Sequence, residues 1–407
     1  MNRTSLAART MGLVIFLGIG WNWRLVEGQP FFFVHLLLLA LFCTVLLTVL
    51  AAGATGQSVD ARPRELVIIL LFLGFMTWGV ETGRFIDAYT GLAFILATFY
   101  CFRVLFANWR VTPALVMGAV TTGVLVSTLR AFGVSELLTT LATVTVASRL
   151  GLDALGGFNA YGFLLAIAMV GLLYFLRVWR SGLGKVACVV AGLYLFAYLL
   201  ATLSRGGMVA FVLGTLTFVM LSSRAPYRAL LLIGTGAAML LAGVLIAFPD
   251  LTVLQSRYDL LEDRSGTGRL FIWNFLFAML QDSPVSLLIG RGTGSVDFGT
   301  AVTRIESAHS TYIDVLFMYG VGGLALLAIF FIGSLRRVLR QPPSTERALT
   351  VAVSAQLVVG GLFDSYHGAV QVGWLYGAWF ALVWALDDRV QEAPHPSGVP
   401  VQAGAHA

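Results

Sequence analysis

Long apolar runs recur along nearly the whole chain, separated by short polar connections. Runs of about 17 to 22 residues are long enough to cross a hydrocarbon core of about 30 Å as helices. The segmentation predicts spans at 11–23, 30–52, 66–80, 88–106, 114–130, 160–178, 186–203, 207–222, 228–248, 314–334, 348–363 and 369–386. The expected architecture is an all-α polytopic protein of about 12 transmembrane helices, a single integral membrane domain over residues 1–390. Two connections exceed a tight turn. Residues 131–159 mix apolar positions with Thr and Gly and suit a helix lying on the membrane. Residues 249–309 form one long polar loop, the largest interruption of the pattern. From Gln391 the chain carries Pro394, Pro396, Gly398 and Pro400, and residues 391–407 read as a disordered tail.

Composition agrees with lipid as the main solvent: 58% of residues are hydrophobic and only 11% charged, far from the roughly 25% charged content of a soluble domain. Cys43, Cys101 and Cys188 all fall inside apolar runs without metal-ligand spacing and read as small buried hydrophobes. The N-terminal run carries no convincing small-residue cleavage site and reads as a retained first span. A net charge of +6 would suggest nucleic acid in a soluble protein, but here the basic residues flank membrane spans. With a cytoplasmic N-terminus, sixteen of the 26 Lys and Arg residues fall on the inner side. That asymmetry orients both termini to the cytoplasm and the long loop outward. Arg257, Arg264, Arg269, Arg291 and Arg304 then stand on the translocated side, against the usual bias, and require a reason.

Five histidines compete for the role of general base near neutral pH. His395 and His406 belong to the tail, and His35 lies within an apolar span. His309 ends the long loop, in Ser307-Ala308-His309-Ser310-Thr311-Tyr312-Ile313-Asp314, with a helical pattern following at once. A ring beside a helix N-terminus is disfavoured as imidazolium and kept in the form that accepts a proton. His367, in Asp364-Ser365-Tyr366-His367, ranks second, with Asp364 placed to orient it. Outer-face arginines suggest an anion gripped through its oxygens. Arg205, in Ser204-Arg205-Gly206-Gly207, puts a charge at a break between two helices at membrane depth, where a charge is costly and by default functional. In the loop, Arg264-Ser265-Gly266-Thr267-Gly268-Arg269 leads into Leu270, Phe271, Ile272 and Trp273, an amphipathic helix expected to rest on the membrane; its glycines let backbone amides approach an anion. Gly290-Arg291-Gly292-Thr293-Gly294 lacks a P-loop lysine and faces outward, which excludes a nucleotide loop. Asp259, Glu262 and Asp263 read as a solvated charge run, so no metal site is expected.

Taken in order, the Ser204 to Gly207 break, Arg269 with Trp273, the Gly290 to Gly294 turn, His309, and Tyr319-Gly320-Val321-Gly322-Gly323 resemble the O-antigen ligase and polymerase superfamily, over roughly residues 200–340. The resemblance implies a GT-C-like glycosyltransferase of the bacterial inner membrane with its active site facing the periplasm. A glycan would pass from undecaprenyl diphosphate to an acceptor hydroxyl, without metal, nucleotide or other cofactor and with inversion. It implies His309 as catalytic base, and Arg205 and Arg269, with Arg264, Arg291 and Tyr312, as substrate-binding residues. Polymerases of the superfamily are described with paired outer loops bearing Arg and Gly at fixed separation. That pattern is absent here, since Leu216 and Val302 stand eleven positions after Arg205 and Arg291. The expected activity is therefore that of an O-antigen ligase with lipid A-core as acceptor, ahead of a polymerase. A transporter of lipid-linked sugar ranks last, because no internal repeat is present and the long loop does not divide the chain into halves.

Overall fold

The computed structural model describes residues 33–55, 63–76, 85–109, 111–131, 158–202, 204–223, 225, 227, 234, 269–292, 298–299, 304–305, 308–364 and 370–392. The expected span at 11–23, nearly all of that at 228–248, residues 132–157 of the connection, the first part of the long loop and the tail beyond Glu392 lie outside them. In chain order the helices are α1 (Phe33–Thr55), α2 (Pro63–Met76), α3 (Phe85–Trp109), α4 (Pro113–Ala131), α5 (Phe158–Val178), α6 (Gly182–Thr202), α7 (Arg205–Ser222), α8 (Arg269–Gln281), α9 (Pro284–Ile289), α10 (Thr311–Arg340), α11 (Thr345–Gly360) and α12 (Val370–Glu392). The loop also holds a two-residue antiparallel pairing, β1 (Phe298–Gly299) with β2 (Arg304–Ile305).

Uninterrupted apolar sequence becomes helix because lipid offers nothing to hydrogen-bond a bare peptide group. Boundaries fall where proline or a capping serine stands. Pro63, Pro113 and Pro284 occupy helix starts, where the missing N–H costs nothing. Ser344 accepts from the Arg347 amide at 3.0 Å, and Ser204 accepts from the Gly207 amide at 3.1 Å. Among the described residues four helices are long and apolar enough to cross a membrane: Asn159–Val178, Gly182–Leu200, Arg205–Ser222 and Thr311–Arg340. Large apolar side chains such as Leu71, Leu183 and Ile329 are exposed on the outer surface of the bundle, as lipid-facing residues are.

Packing fixes which ends lie together. α5 and α7 run parallel: Gly207 is set against the Gly162 backbone at their starts, and Arg177 donates to the Ser222 carbonyl at their ends. α11 runs antiparallel between them, and the buried Gln356 amide donates to both Ala166 and Ala210 carbonyls at 3.1 Å. Small residues at these contacts let helix backbones approach, the usual basis of helix association in lipid. A second layer joins α3 and α12, with Phe102 edge-on to Trp374 and Trp384 edge-on to Phe99.

The two ends of this bundle differ in charge chemistry. At the end where α5 and α7 finish, three arginines are engaged by neighbouring groups. Arg103, 1% exposed, pairs with Glu65 at 3.3 Å and with Asp388, Arg389 donates to the Val111 carbonyl at 2.7 Å, and Arg337 lies 3.9 Å over Trp384. These belong to the set expected in the cytoplasm. Arg205 stands at the opposite end, where α7 begins.

α10 is broken, and the break serves the long loop. Gly320 has φ 65° and ψ −166°, a conformation open almost only to glycine, so the carbonyls of Phe317 and Met318 lose their helical partners. The loop supplies replacements: the Arg291 amide donates to Phe317 and the Gly292 amide to Met318, both at 2.9 Å. A Cβ on Gly320 would stand 2.4 Å from Leu288 backbone atoms, and one on Gly290 would stand 2.2 Å from the Met318 carbonyl oxygen. The Gly290 turn is a docking element for α10.

Candidate active site

Three helix beginnings meet at the end of the bundle that carries Arg205. Arg205 is the first residue of α7 and is exposed. Ser204, fully buried, caps the helix and lies 3.4 Å from Asn159 Oδ1. The two glycines after Arg205 are there for space: a Cβ on Gly206 would come within 2.6 Å of Phe363 Cβ, and one on Gly207 within 2.7 Å of the Gly162 backbone. Only glycine lets the first turn of α7 sit so deep that Arg205 emerges beside the turn after α11. Ser204, Gly206, Phe363 and Asp364 line one small recess there.

Arg269 opens α8, which runs apolar through Gln281 with Leu276 and Leu280 buried and Leu270, Phe271, Phe275 and Phe277 exposed. A helix buried on one side and apolar on the other fits the expected seat at a membrane surface. Burial draws the Arg269 guanidinium below its usual basicity; the Asp364 carboxylate pulls it back up, and Arg205 pushes it down. These influences place Arg205 and Asp364 each within electrostatic reach of Arg269. Arg269 Nε is buried and has no hydrogen-bond partner among the described residues.

His309 precedes α10 and is exposed, between buried Ala308 and Ser310. It is the non-glycine residue with positive φ among the described residues, at 51°. Such a backbone persists only where its neighbours hold it, and here they are held on both sides. Trp273 Nε1 donates to the Ala308 carbonyl at 2.9 Å, and the Ala308 amide donates to Asp314 Oδ1 at 2.7 Å. The Thr311 amide donates to the Gly361 carbonyl at 2.8 Å, and its hydroxyl to the Asp364 carbonyl at 2.9 Å. α8 therefore carries both Arg269 and a tether to the residue before His309, while the turn bearing Asp364 is tied to the residues after it.

The remaining candidates divide. Tyr312, three residues after His309, turns its hydroxyl to the Val358 carbonyl and packs against Gly361, so it fastens α10 to α11. The Arg291 guanidinium is engaged within the loop, with the Met279 carbonyl at 2.6 Å and Asp282 at 3.3 Å. Arg264 and His367 lie outside the described residues. Sequence reasoning paired Asp364 with His367, a pairing that lies outside the described residues; among those described, the Asp364 carboxylate acts on Arg269. It gave no role to Asp314, whose only sequence signal is an acidic residue in the first turn of a helix.

An elongated cavity of about 300 Å³ opens beside this site. It begins at Thr311, passes Val315 and Tyr319 of α10, Leu96 and Phe99 of α3 and Phe380 of α12, and reaches Glu65 and Trp384 near the opposite end. Its lining is almost wholly apolar.

No curated protein matches the chain. A model of the O-antigen ligase family matches residues 190–328, from within α6 to the middle of α10, a stretch that holds Arg205, Arg269, Arg291, His309 and Tyr312. Over those residues the match bears out the resemblance read from the motifs: this part of the chain is similar to the O-antigen ligase family, and the described residues form a helical structure with four helices long and apolar enough to cross a membrane.

Proposed function

We propose that the protein is an O-antigen ligase of the bacterial inner membrane, transferring a glycan from undecaprenyl diphosphate to lipid A-core at the periplasmic face. The observation that carries this reading is the meeting of Arg205, Arg269 and the constrained His309 at one end of the bundle, with an apolar cavity running from the same place along the helices. Two guanidiniums within reach of each other, one with a buried nitrogen that has no hydrogen-bond partner among the described residues, are suited to an anion with several oxygens. Arg205 and Arg269 stand at helix N-termini, where the partial positive charge adds to theirs. The cavity offers hydrocarbon surroundings to a lipid attached to that anion.

In this reading the acceptor hydroxyl attacks the anomeric carbon while His309 takes its proton. The bond from that carbon to the diphosphate oxygen breaks, and the leaving diphosphate carries away the electron pair. Arg205 and Arg269 neutralise the charge growing on it, an effect worth about 10²–10³ in rate for each well-placed group. A single displacement inverts the anomeric centre. With the charge handled by guanidinium, transfer is expected to proceed in EDTA.

The test supplies purified protein with lipid-linked glycan and, in separate reactions, lipid A-core, a lipid-linked glycan acceptor or a peptide. Glycosylation of lipid A-core in EDTA is expected. Elongation of the lipid-linked glycan alone would identify a polymerase, and strict metal dependence would contradict the mechanism.

A further inference from the structure

We infer that Trp273 and Asp314 are positioning residues that hold the His309 backbone in its catalytic conformation and couple it to Arg269. The inference rests on His309 being the proton acceptor and goes beyond it by naming what keeps that imidazole in place. Ala308 has no exposed surface, and both its polar backbone atoms are taken by side chains: its N–H by Asp314 Oδ1 and its carbonyl by Trp273 Nε1. Asp314 is itself fully buried. The carbonyl held by Trp273 belongs to the peptide bond leading into His309. Relaxing His309 from φ 51° toward the ordinary negative region would rotate that peptide plane and pull the carbonyl off the indole. Downstream, Thr311 is fixed to Gly361 and Asp364, so the strain cannot pass into α10.

Trp273 lies four residues after Arg269 on α8, one turn along the same face. The helix that presents an anion-binding guanidinium thus also carries the hydrogen bond that sets the histidine. A shift of α8 on arrival of the lipid-linked diphosphate would move both together. Trp273 and Asp314 touch the backbone before His309, so their effect on transfer would run through its placement.

The experiment measures glycan transfer with lipid-linked donor and lipid A-core for Trp273→Phe, Asp314→Asn, Asp314→Ala and His309→Ala, together with each thermal midpoint. Phe keeps the aromatic bulk and removes the N–H; Asn keeps an acceptor oxygen and Ala removes it. Misplacing a catalytic group by about 1 Å costs roughly 10²-fold, so Trp273→Phe and Asp314→Ala should lower kcat by about 10- to 100-fold. Donor KM should stay within about twofold, the split that marks an interaction serving the reaction and not donor affinity. Asp314→Asn should restore most of the kcat lost in Asp314→Ala. Wild-type kcat in Trp273→Phe, equal losses in Asp314→Asn and Asp314→Ala, or losses that track the thermal midpoint would overturn the inference while leaving His309 as base. Transfer at the wild-type rate by His309→Ala would instead remove the reading on which it rests.

Discussion

His309 and Arg269 show how one side chain can be exposed and still be the most constrained residue of its neighbourhood. A histidine at φ 51° gives up of order 1 kcal/mol relative to an ordinary backbone, and hydrogen bonds on both sides hold it there. Arg269 is half-buried beside Arg205 with Asp364 as counter-charge, an arrangement that an arriving diphosphate would stabilise. Arg269→Ala and Arg205→Ala should each lower transfer by about 10²–10³, measured as kcat/KM for the lipid-linked donor. Lys at 269 should recover only part, because a point charge does not replace a planar fork. Arg291 behaves differently: Arg291→Ala frees the Met279 carbonyl and Asp282 and should lower the thermal midpoint with donor KM unchanged. At this scale the sequence was informative where charge opposed the orientation rule, which marked Arg269 among the loop arginines, and where a charge stood at a break between helices, which marked Arg205. It was silent on Trp273 as a tether, because a hydrogen bond to the backbone of a residue 35 positions away leaves no pattern in the chain, and on Asp314, whose place in a helix's first turn reads as an ordinary acidic start.

Helix limits were readable because apolar length, proline and capping serine are local signals, and α5, α7 and α11 begin and end within a few residues of the expected spans. The break in α10 was not. Its sequence is apolar from Val315 through Gly333, and nothing local to Gly320 marks it apart from Gly322 and Gly323. What forces the break is a partner brought in by the fold: the Gly290 turn, whose amides take the carbonyls of Phe317 and Met318. Gly320→Ala should therefore cost more than the 1 kcal/mol or so of an ordinary helical substitution, because its Cβ would stand 2.4 Å from Leu288. A fall in thermal midpoint by several degrees in detergent is the expected measurement. A midpoint equal to that of the wild type would mean that the turn and the helix are not locked together.

Across the whole molecule, the two ends use arginine for different ends. Arg103 is enclosed by Glu65 and Asp388, and removing it as Arg103→Met would leave two partly buried carboxylates without their cation. About 3 kcal/mol of stability should be lost, read as a lower thermal midpoint, while the folded fraction keeps its kcat because the trio lies at the far end of the bundle. The segregation itself was legible, since positive flanks on alternate connections need no tertiary information. The apolar cavity between α3, α10 and α12 was not, because a residue lining a cavity and one packed in a core have the same character in sequence.

The central claim is that His309, set by its strained backbone beside Arg205 and Arg269, is the base for glycan transfer. The most direct measurement compares His309→Ala with His367→Ala, each purified at wild-type yield and given lipid-linked glycan with lipid A-core. A fall of about 10²–10⁴ in kcat for His309→Ala, with His367→Ala retaining transfer, is expected. An active His309→Ala beside an inactive His367→Ala would contradict it.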